Sequence, residues 1–257
     1  MVLVEDWHCT DEGNFMGRHL IFGGTGGIGQ AVARRLVKAG HEVVLSGRNT
    51  DELQRLGEEL SAETIRCDVM DPVQIEDAAS QLPDALDGFV YAVGSINLKP
   101  FGKASADDFV TDFRLNAVGA ALCFKAAAPA LMKTTDGASA VFFSTVAVEQ
   151  GFAAHASIAM AKGAVVGLTR TLATEYAPHI RVNAIAPSLV DTPLGQTVAG
   201  NAKMAEAIAK MHAVPRLGRP DDIAAMAELL LTEAGSWITG QIIGVDGGRS
   251  AIRVMRS

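Results

Sequence analysis

A chain of 257 residues carrying a net charge of −7 and no basic block offers no nucleic-acid surface, and its length suits one large α/β domain better than two small ones. Cys9, Cys67 and Cys123 are scattered without ligand-like spacing, which excludes a disulfide framework and a zinc site and suits a reducing cytoplasm; no metal site is expected. The most apolar stretch, 117–132, is interrupted by Lys125 and Pro129 and falls short of a membrane span. Residues 1–15 are acidic and lack the apolar core of a secretory signal. They are read as a disordered leader or vector remnant ahead of a single domain over 16–257.

Apolar runs rich in branched residues alternate with helical patterns from Arg18 almost to the end, the signature of a parallel sheet covered on both faces. Strands are expected near 18–23, 41–47, 63–67, 87–93, 138–145, 180–186 and 240–245, giving a doubly wound, Rossmann-type sheet of about seven strands. Helices over 51–60 and 71–82 open on acidic residues, and Pro72 stands where a first helical turn tolerates it. The segment 189–217, with Pro193, Gly195, Gly200 and Pro215 around a short Ala-rich helical piece, is expected to form a mobile insertion above the carboxyl edge of the sheet. An ordinary surface loop would have the same composition.

Within this pattern the first strand runs straight into Gly23-Gly24-Thr25-Gly26-Gly27-Ile28-Gly29 and then a helix. Glycines at 23, 27 and 29 are free to take up positive φ and carry no Cβ, so backbone amides at the helix start can approach a pyrophosphate closely. Phosphate would be held by main chain rather than by a lysine. The same turn would also serve as a plain tight connection between strand and helix.

The glycine spacing is Gly-x3-Gly-x-Gly, and later segments agree with it: Cys67-Asp68-Val69, Asn116 in Leu115-Asn116-Ala117, Lys162 in a long helix, Arg181 to Pro187, Asp191-Thr192-Pro193, Gly218 to Ala224, and Thr239-Gly240-Gln241 before Asp246-Gly247-Gly248. Together they resemble the short-chain dehydrogenase/reductase family over about residues 18–248. The resemblance implies hydride transfer between a nicotinamide dinucleotide and a substrate. It places Gly23, Thr25, Gly27, Ile28, Gly29, Asn49, Asp68, Val69, Gly94, Pro187 and Thr192 around the cofactor, with Lys162 on the nicotinamide ribose and Asn116 beside it. Asp68 is also a plausible turn former.

Cofactor choice follows from charge. The second strand ends Ser46-Gly47-Arg48-Asn49, where members that prefer NAD carry an acid. Gly47 removes the carboxylate that would repel a 2′-phosphate, and Arg48 supplies a planar cation to pair with it, so NADP(H) is expected. Arg48 facing solvent without a ligand is the alternative.

The family's Tyr-x-x-x-Lys pair reads Ile158 to Lys162, so an alkyl group stands where a phenol would relay the proton. Tyr91 and Tyr176, the two tyrosines of the chain, are not placed to substitute. Thr145 stands thirteen residues before Ile158, at the position of the family's serine, and keeps a hydroxyl. His155, seven residues before Lys162, is the candidate replacement acid, against the alternative of an exposed loop histidine. The catalytic set is thus Asn116, Thr145, His155 and Lys162. The expected function is an NADP(H)-dependent oxidoreductase acting on a carbonyl, alcohol or activated C=C of a small organic substrate; the alternative is a catalytically impaired nucleotide-binding sensor or scaffold. The resemblance further implies a homotetramer packed through the helices near 117–132 and 159–177, although Ala-rich helices covering a sheet have the same composition.

Overall fold

A computed structural model of the protein describes residues 17–253, so the leader expected at 1–15 lies outside the described residues. Seven strands form among the described residues, β1 (Arg18–Phe22), β2 (Glu42–Gly47), β3 (Glu63–Arg66), β4 (Gly88–Tyr91), β5 (Ala138–Phe143), β6 (Ile180–Pro187) and β7 (Ile242–Val245). They make one sheet in the order β3-β2-β1-β4-β5-β6-β7, every pair parallel. Among the described residues ten α-helices connect them: α1 (Gly27–Lys38), α2 (Thr50–Leu60), α3 (Pro72–Ala79), α4 (Ala106–Phe113), α5 (Gly119–Leu131), α6 (Val146–Gln150), α7 (Ala156–Glu175), α8 (Pro193–Ala199), α9 (Ala202–Ala209) and α10 (Pro220–Leu231).

Successive residues of a strand face opposite sides of a sheet, and β1 divides its apolar residues accordingly. Leu20 and Phe22 pack with Ile75 of α3, Phe124 of α5 and Val165 of α7; Ile21 packs on the other side with Val32 and Leu36 of α1, Leu56 of α2 and Ile223 of α10. Two hydrophobic layers therefore sandwich the sheet, which explains why the strands read as unbroken apolar runs. An aromatic knot centred on the fully buried Phe89 lies in the first layer, its ring 5.5 Å from that of Phe124 and 5.7 Å from that of Phe142.

Caps set the helix starts. Asn49 accepts from the Asp51 and Glu52 amides, so α2 begins one residue before the expected Asp51; Asp71 caps α3, with Pro72 at its first position. β4 stops at Tyr91, short of the expected 93, because after the Ala92 amide bonds Phe22 O the chain turns away into the site. β7 starts at Ile242 rather than 240, since Gly240 has φ +70°. The 189–217 segment departs further from expectation: it holds two helices, α8 capped by Thr192 and α9 capped by Asn201, broken apart by Gly200 at φ +66°.

At the amino end of β1 the imidazole of His19 is buried, with Nε2 3.1 Å from Nδ1 of His41. Burial, and after it the nearby His41, push its pKa down from 6.5 to about 3, against a smaller opposing pull from Asp87. The unfolded chain then takes up a proton between pH 6.5 and 3 that the folded chain refuses, so stability falls as pH falls through that window. Urea unfolding of the wild type should lose up to about 1.4 kcal/mol per pH unit from this group. His19→Asn should flatten the dependence; an equal slope in the variant would assign it to other groups.

Candidate active site

The strand order reverses between β1 and β4, whose chains leave in opposite directions and open a crevice at their carboxyl ends. The glycine turn lies there. The amides of Gly23 and Gly24 donate to Ser46 O at 2.9 and 3.0 Å, tying the turn to β2. Of the three glycines expected at positive φ, only Gly23 adopts it, at +77°. Gly27 and Gly29 are helical and are glycine for want of space. A Cβ at Gly29 would press into the carbonyl oxygen of Gly23, and one at Gly27 would lie 2.6 Å from the Thr192 methyl. α1 starts after Gly26, which has no side chain to cap it, and its first turn contains no acid. Its leading amides and positive dipole end are therefore left to an anion. Thr25 O accepts from Gln30 Nε2 at 2.7 Å, and Ile28 packs at the edge of the core.

Around this turn stand the other residues singled out from the sequence. Gly47 brings β2 against Thr25, whose Oγ1 would be 3.2 Å from a Cβ there. Arg48 is exposed and makes no ion pair among the described residues. The side chain of Asn49 is spent on the α2 cap. Asp68 takes the turn role, accepting from Met70 N at 3.0 Å through Oδ1, and Val69 beside it is buried. Pro187 ends β6, and Thr192 is buried with Oγ1 accepting from Gly195 N at 2.9 Å.

Across the crevice a polar cluster closes the end of β4. A π turn, Arg114–Val118, joins α4 to α5 and carries Asn116, fully buried. Asn116 Nδ2 donates to Asp112 O at 2.8 Å and to Ser95 Oγ at 3.0 Å. Lys162, from the second turn of α7, donates Nζ to Phe143 O at 2.9 Å. At Gly94 a Cβ would lie 3.1 Å from Asn116 Oδ1 and 3.3 Å from Lys162 Nζ, so both polar ends converge on bare backbone. Burial pushes the Lys162 ammonium down to about 8, and Asp112 acts against that shift.

Thr145 is the N-cap of α6, its Oγ1 accepting from Ala147 N at 3.3 Å, and the adjacent Ser144 donates to Lys162 O at 3.3 Å. His155 is not joined to them: half-buried at the start of α7, it holds Ala153 O 2.8 Å from Nδ1 and sets its ring edge-on to Phe152. Ile158 is buried one turn before Lys162. Tyr91 Oη donates to Leu115 O at 2.6 Å within the core, and Tyr176 packs on Phe124, so neither enters the cluster.

Two groups were missed in the sequence reading. Asp112 is 2% exposed, and Ser95 Oγ donates to its Oδ1 at 2.7 Å. Its signal was an acid four residues before Asn116, on the same helical face. The second group is His212, buried at the end of the α9 segment with Nε2 2.8 Å from Ser188 Oγ. This pair borders an open cavity of about 360 Å³ also lined by Arg216, Asp222 and Asp246, to which the Lys162 cluster contributes nothing.

A family model described as enoyl-(acyl carrier protein) reductase matches residues 23–250. An uncharacterized oxidoreductase of Mycobacterium tuberculosis is 32% identical over 240 residues, covering 89% of this chain and 90% of that one. The chain belongs to the short-chain dehydrogenase/reductase family. A 2,5-dichloro-2,5-cyclohexadiene-1,4-diol dehydrogenase of Sphingobium indicum is 31% identical, with 91% of this chain and 96% of that protein covered. Among solved structures, a short-chain dehydrogenase/reductase of Mycobacterium ulcerans superposes with a TM-score of 0.86 at 30% identity, covering 93% and 91% of the two chains. A gluconate 5-dehydrogenase of Burkholderia cenocepacia, solved with NADP and tartrate, gives 0.86 at 26% identity, covering 93% and 97%. The protein is thus an oxidoreductase of this family, and among its described residues no helix is long and apolar enough to cross a membrane.

Because Gly29 abuts Gly23 while Gly102 has open space around it, Gly29→Ala should cost about 1–3 kcal/mol in urea unfolding and Gly102→Ala much less. Equal costs would mean that the turn yields without strain.

Proposed function

We propose that this protein transfers hydride between NADP(H) and the carbonyl, alcohol or activated C=C of a small organic molecule, using a proton donor other than tyrosine. The observation that carries the reading is the convergence of Asn116 and Lys162 on side-chain-free backbone at Gly94, opposite a glycine turn whose helix amides are uncapped. A dinucleotide fits there on the chemistry of the donors. The first amides of α1 would take the pyrophosphate, the Lys162 ammonium would donate to ribose hydroxyls, and Val69 would flank the adenine while Asp68 accepts from its amino group. Pro187 and Thr192 would wall the nicotinamide end. When bound, the nicotinamide supplies or accepts the hydride.

Arg48, exposed and without an ion pair among the described residues, sets the preference for NADP(H), because its guanidinium can face a 2′-phosphate and Gly47 offers no carboxylate to repel it. The structural neighbours include one solved with NADP and one solved with NAD, so the choice rests on Arg48 and Gly47. Thr145 would donate to the substrate oxygen. His155 would protonate it through Nε2, since Nδ1 is already engaged with Ala153 O. Ile158, buried where the family's tyrosine is expected, favours a second reading, a nucleotide-binding sensor or scaffold. Apolar side chains left exposed along 117–132 and on α7, among them Val118, Met132 and Met160, favour a homotetramer built on the helices near 117–132 and 159–177, measurable by light scattering. The buried free thiols Cys67 and Cys123 fit a cytoplasmic protein.

Fluorescence titration with NADPH and NADH tests the reading. NADPH should bind the more tightly, and Arg48→Ala should weaken NADPH roughly 10- to 100-fold while sparing NADH, the loss of a charge-assisted pair of about 1.5–3 kcal/mol. Binding of neither cofactor would overturn it. With a substrate panel, turnover by the wild type that falls in His155→Ala supports the reductase. Silence in the wild type and in Ile158→Tyr alike supports the sensor or scaffold.

A further inference from the structure

Asp112 has no place in the reading above, yet it is the most unusual group near the cluster. It lies in the last turn of α4 at 2% exposure, where an acid is seldom found without compensation. One carboxylate oxygen, Oδ1, accepts from Ser95 Oγ at 2.7 Å, while Oδ2 is buried with no hydrogen-bond partner among the described residues. Ser95 Oγ in turn accepts from Asn116 Nδ2 at 3.0 Å, and Asn116 also reaches back to the backbone of Asp112. The acid is thus built into the loop and π turn that frame Gly94, opposite Lys162.

We propose that Asp112 is a positioning residue: its carboxylate, clamped through Ser95, keeps the buried Lys162 in its ammonium form and holds Asn116 in register with it, so that a charged donor is presented to the cofactor ribose. The proposal rests on the cofactor reading above. Electrostatics support it. Burial alone drives Lys162 toward the neutral amine, a form with a lone pair in place of a charge, and Asp112 is the charge that opposes this. Other charged groups on the elements around Lys162 are elsewhere engaged or in solvent. On α4, Asp107 faces water and Asp108 is held by Lys99 at 2.6 Å. Arg114 of the π turn is exposed and donates to Met70 O, and Glu149 of α6 is exposed. Arg181 of β6 is spent on the carbonyls of Gly235 and Ile238. On α7 itself, Arg170 and Glu175 are exposed, and His155 at its start faces Phe152. β5 carries no charged residue.

The experiment is an NMR titration of the cofactor-free protein labelled with carbon-13 at lysine Cε, the Lys162 signal being assigned by its absence in Lys162→Met. Wild-type Lys162 should titrate near pH 8, and in Asp112→Asn its midpoint should fall by about one unit or more, the shift expected when a close opposite charge is removed. An unchanged midpoint overturns the proposal. So does a carboxyl carbon-13 shift showing Asp112 protonated at pH 7 in the wild type, a measurement that needs no variant. NADPH titration of the same samples separates the two readings. Loss of cofactor binding in the wild type sinks the cofactor reading and leaves the lysine shift standing, whereas an unmoved lysine midpoint sinks this proposal with cofactor binding intact.

Discussion

The site depends on keeping side chains out of one line through the crevice. Gly23, Gly27, Gly29 and Gly94 lie where β1 turns into α1 and where β4 ends, and at each of them a Cβ would run into backbone, into Thr192, or into the Asn116 and Lys162 ends. Only the first needs its unusual φ. The other three are glycines of proximity: they let a helix start, the end of β4 and the segment carrying Thr192 approach one another closely. The parallel sheet makes this possible, since its reversal between β1 and β4 is the one place where two strand ends diverge and leave room.

Facing that line, the polar groups are held by burial as much as by hydrogen bonds. Lys162 is anchored at both ends, Nζ on Phe143 O and its carbonyl under Ser144, so its long side chain has little freedom left to lose on binding. The π turn serves the same purpose for Asn116. By inserting one residue into the helical register between α4 and α5, it turns the amide inward to bridge Ser95 and the backbone of Asp112. What burial costs in charge stability at Lys162 is partly offset by Asp112 on the neighbouring helix, and the ammonium remains pushed down to about 8.

Much of this was legible beforehand for definite reasons. Strand runs buried on both faces, such as Gly88 to Tyr91, are continuous and apolar, and acidic or Asn caps mark helix starts such as Asn49 and Asp71. The sheet was therefore expected with its seven strands. Strand ends were less visible, because the stop after Tyr91 is dictated by a turn toward the site and not by a change in residue type. Within 189–217 the Ala-rich composition suggested one helical piece, whereas the side-chain caps of Thr192 and Asn201 divide it in two. The glycine turn was recognised, but the need at Gly27 and Gly29 is for space and depends on Thr192 and Gly23, contacts that no local pattern encodes. Asp112 escaped notice because an acid on a helix is normally a solvated face; its burial arises from the packing of α4 on α7. His155 was singled out by spacing, and the structure leaves it apart from the hydrogen-bonded cluster.

On the proposed reading, the absence of a phenol at Ile158 concentrates the polar work facing a substrate on few groups, and hydrogen-bond accounting distinguishes two neighbouring hydroxyls. Ser144 Oγ gives its proton to Lys162 O, so it has no donor left for a ligand. Thr145 Oγ1 is used only as an acceptor, from Ala147 N, and keeps its proton to donate. The cap that starts α6 thereby orients the threonine while leaving the hydrogen that a developing alkoxide or enolate would require. A substrate oxygen placed against Thr145 would lie in a site whose nearest buried cation is Lys162, so negative charge developing on that oxygen would be offset by the ammonium even without a tyrosine between them. The proton itself must still come from a side chain able to give one up, and on this reading that is the His155 imidazole, which lies apart from the cluster.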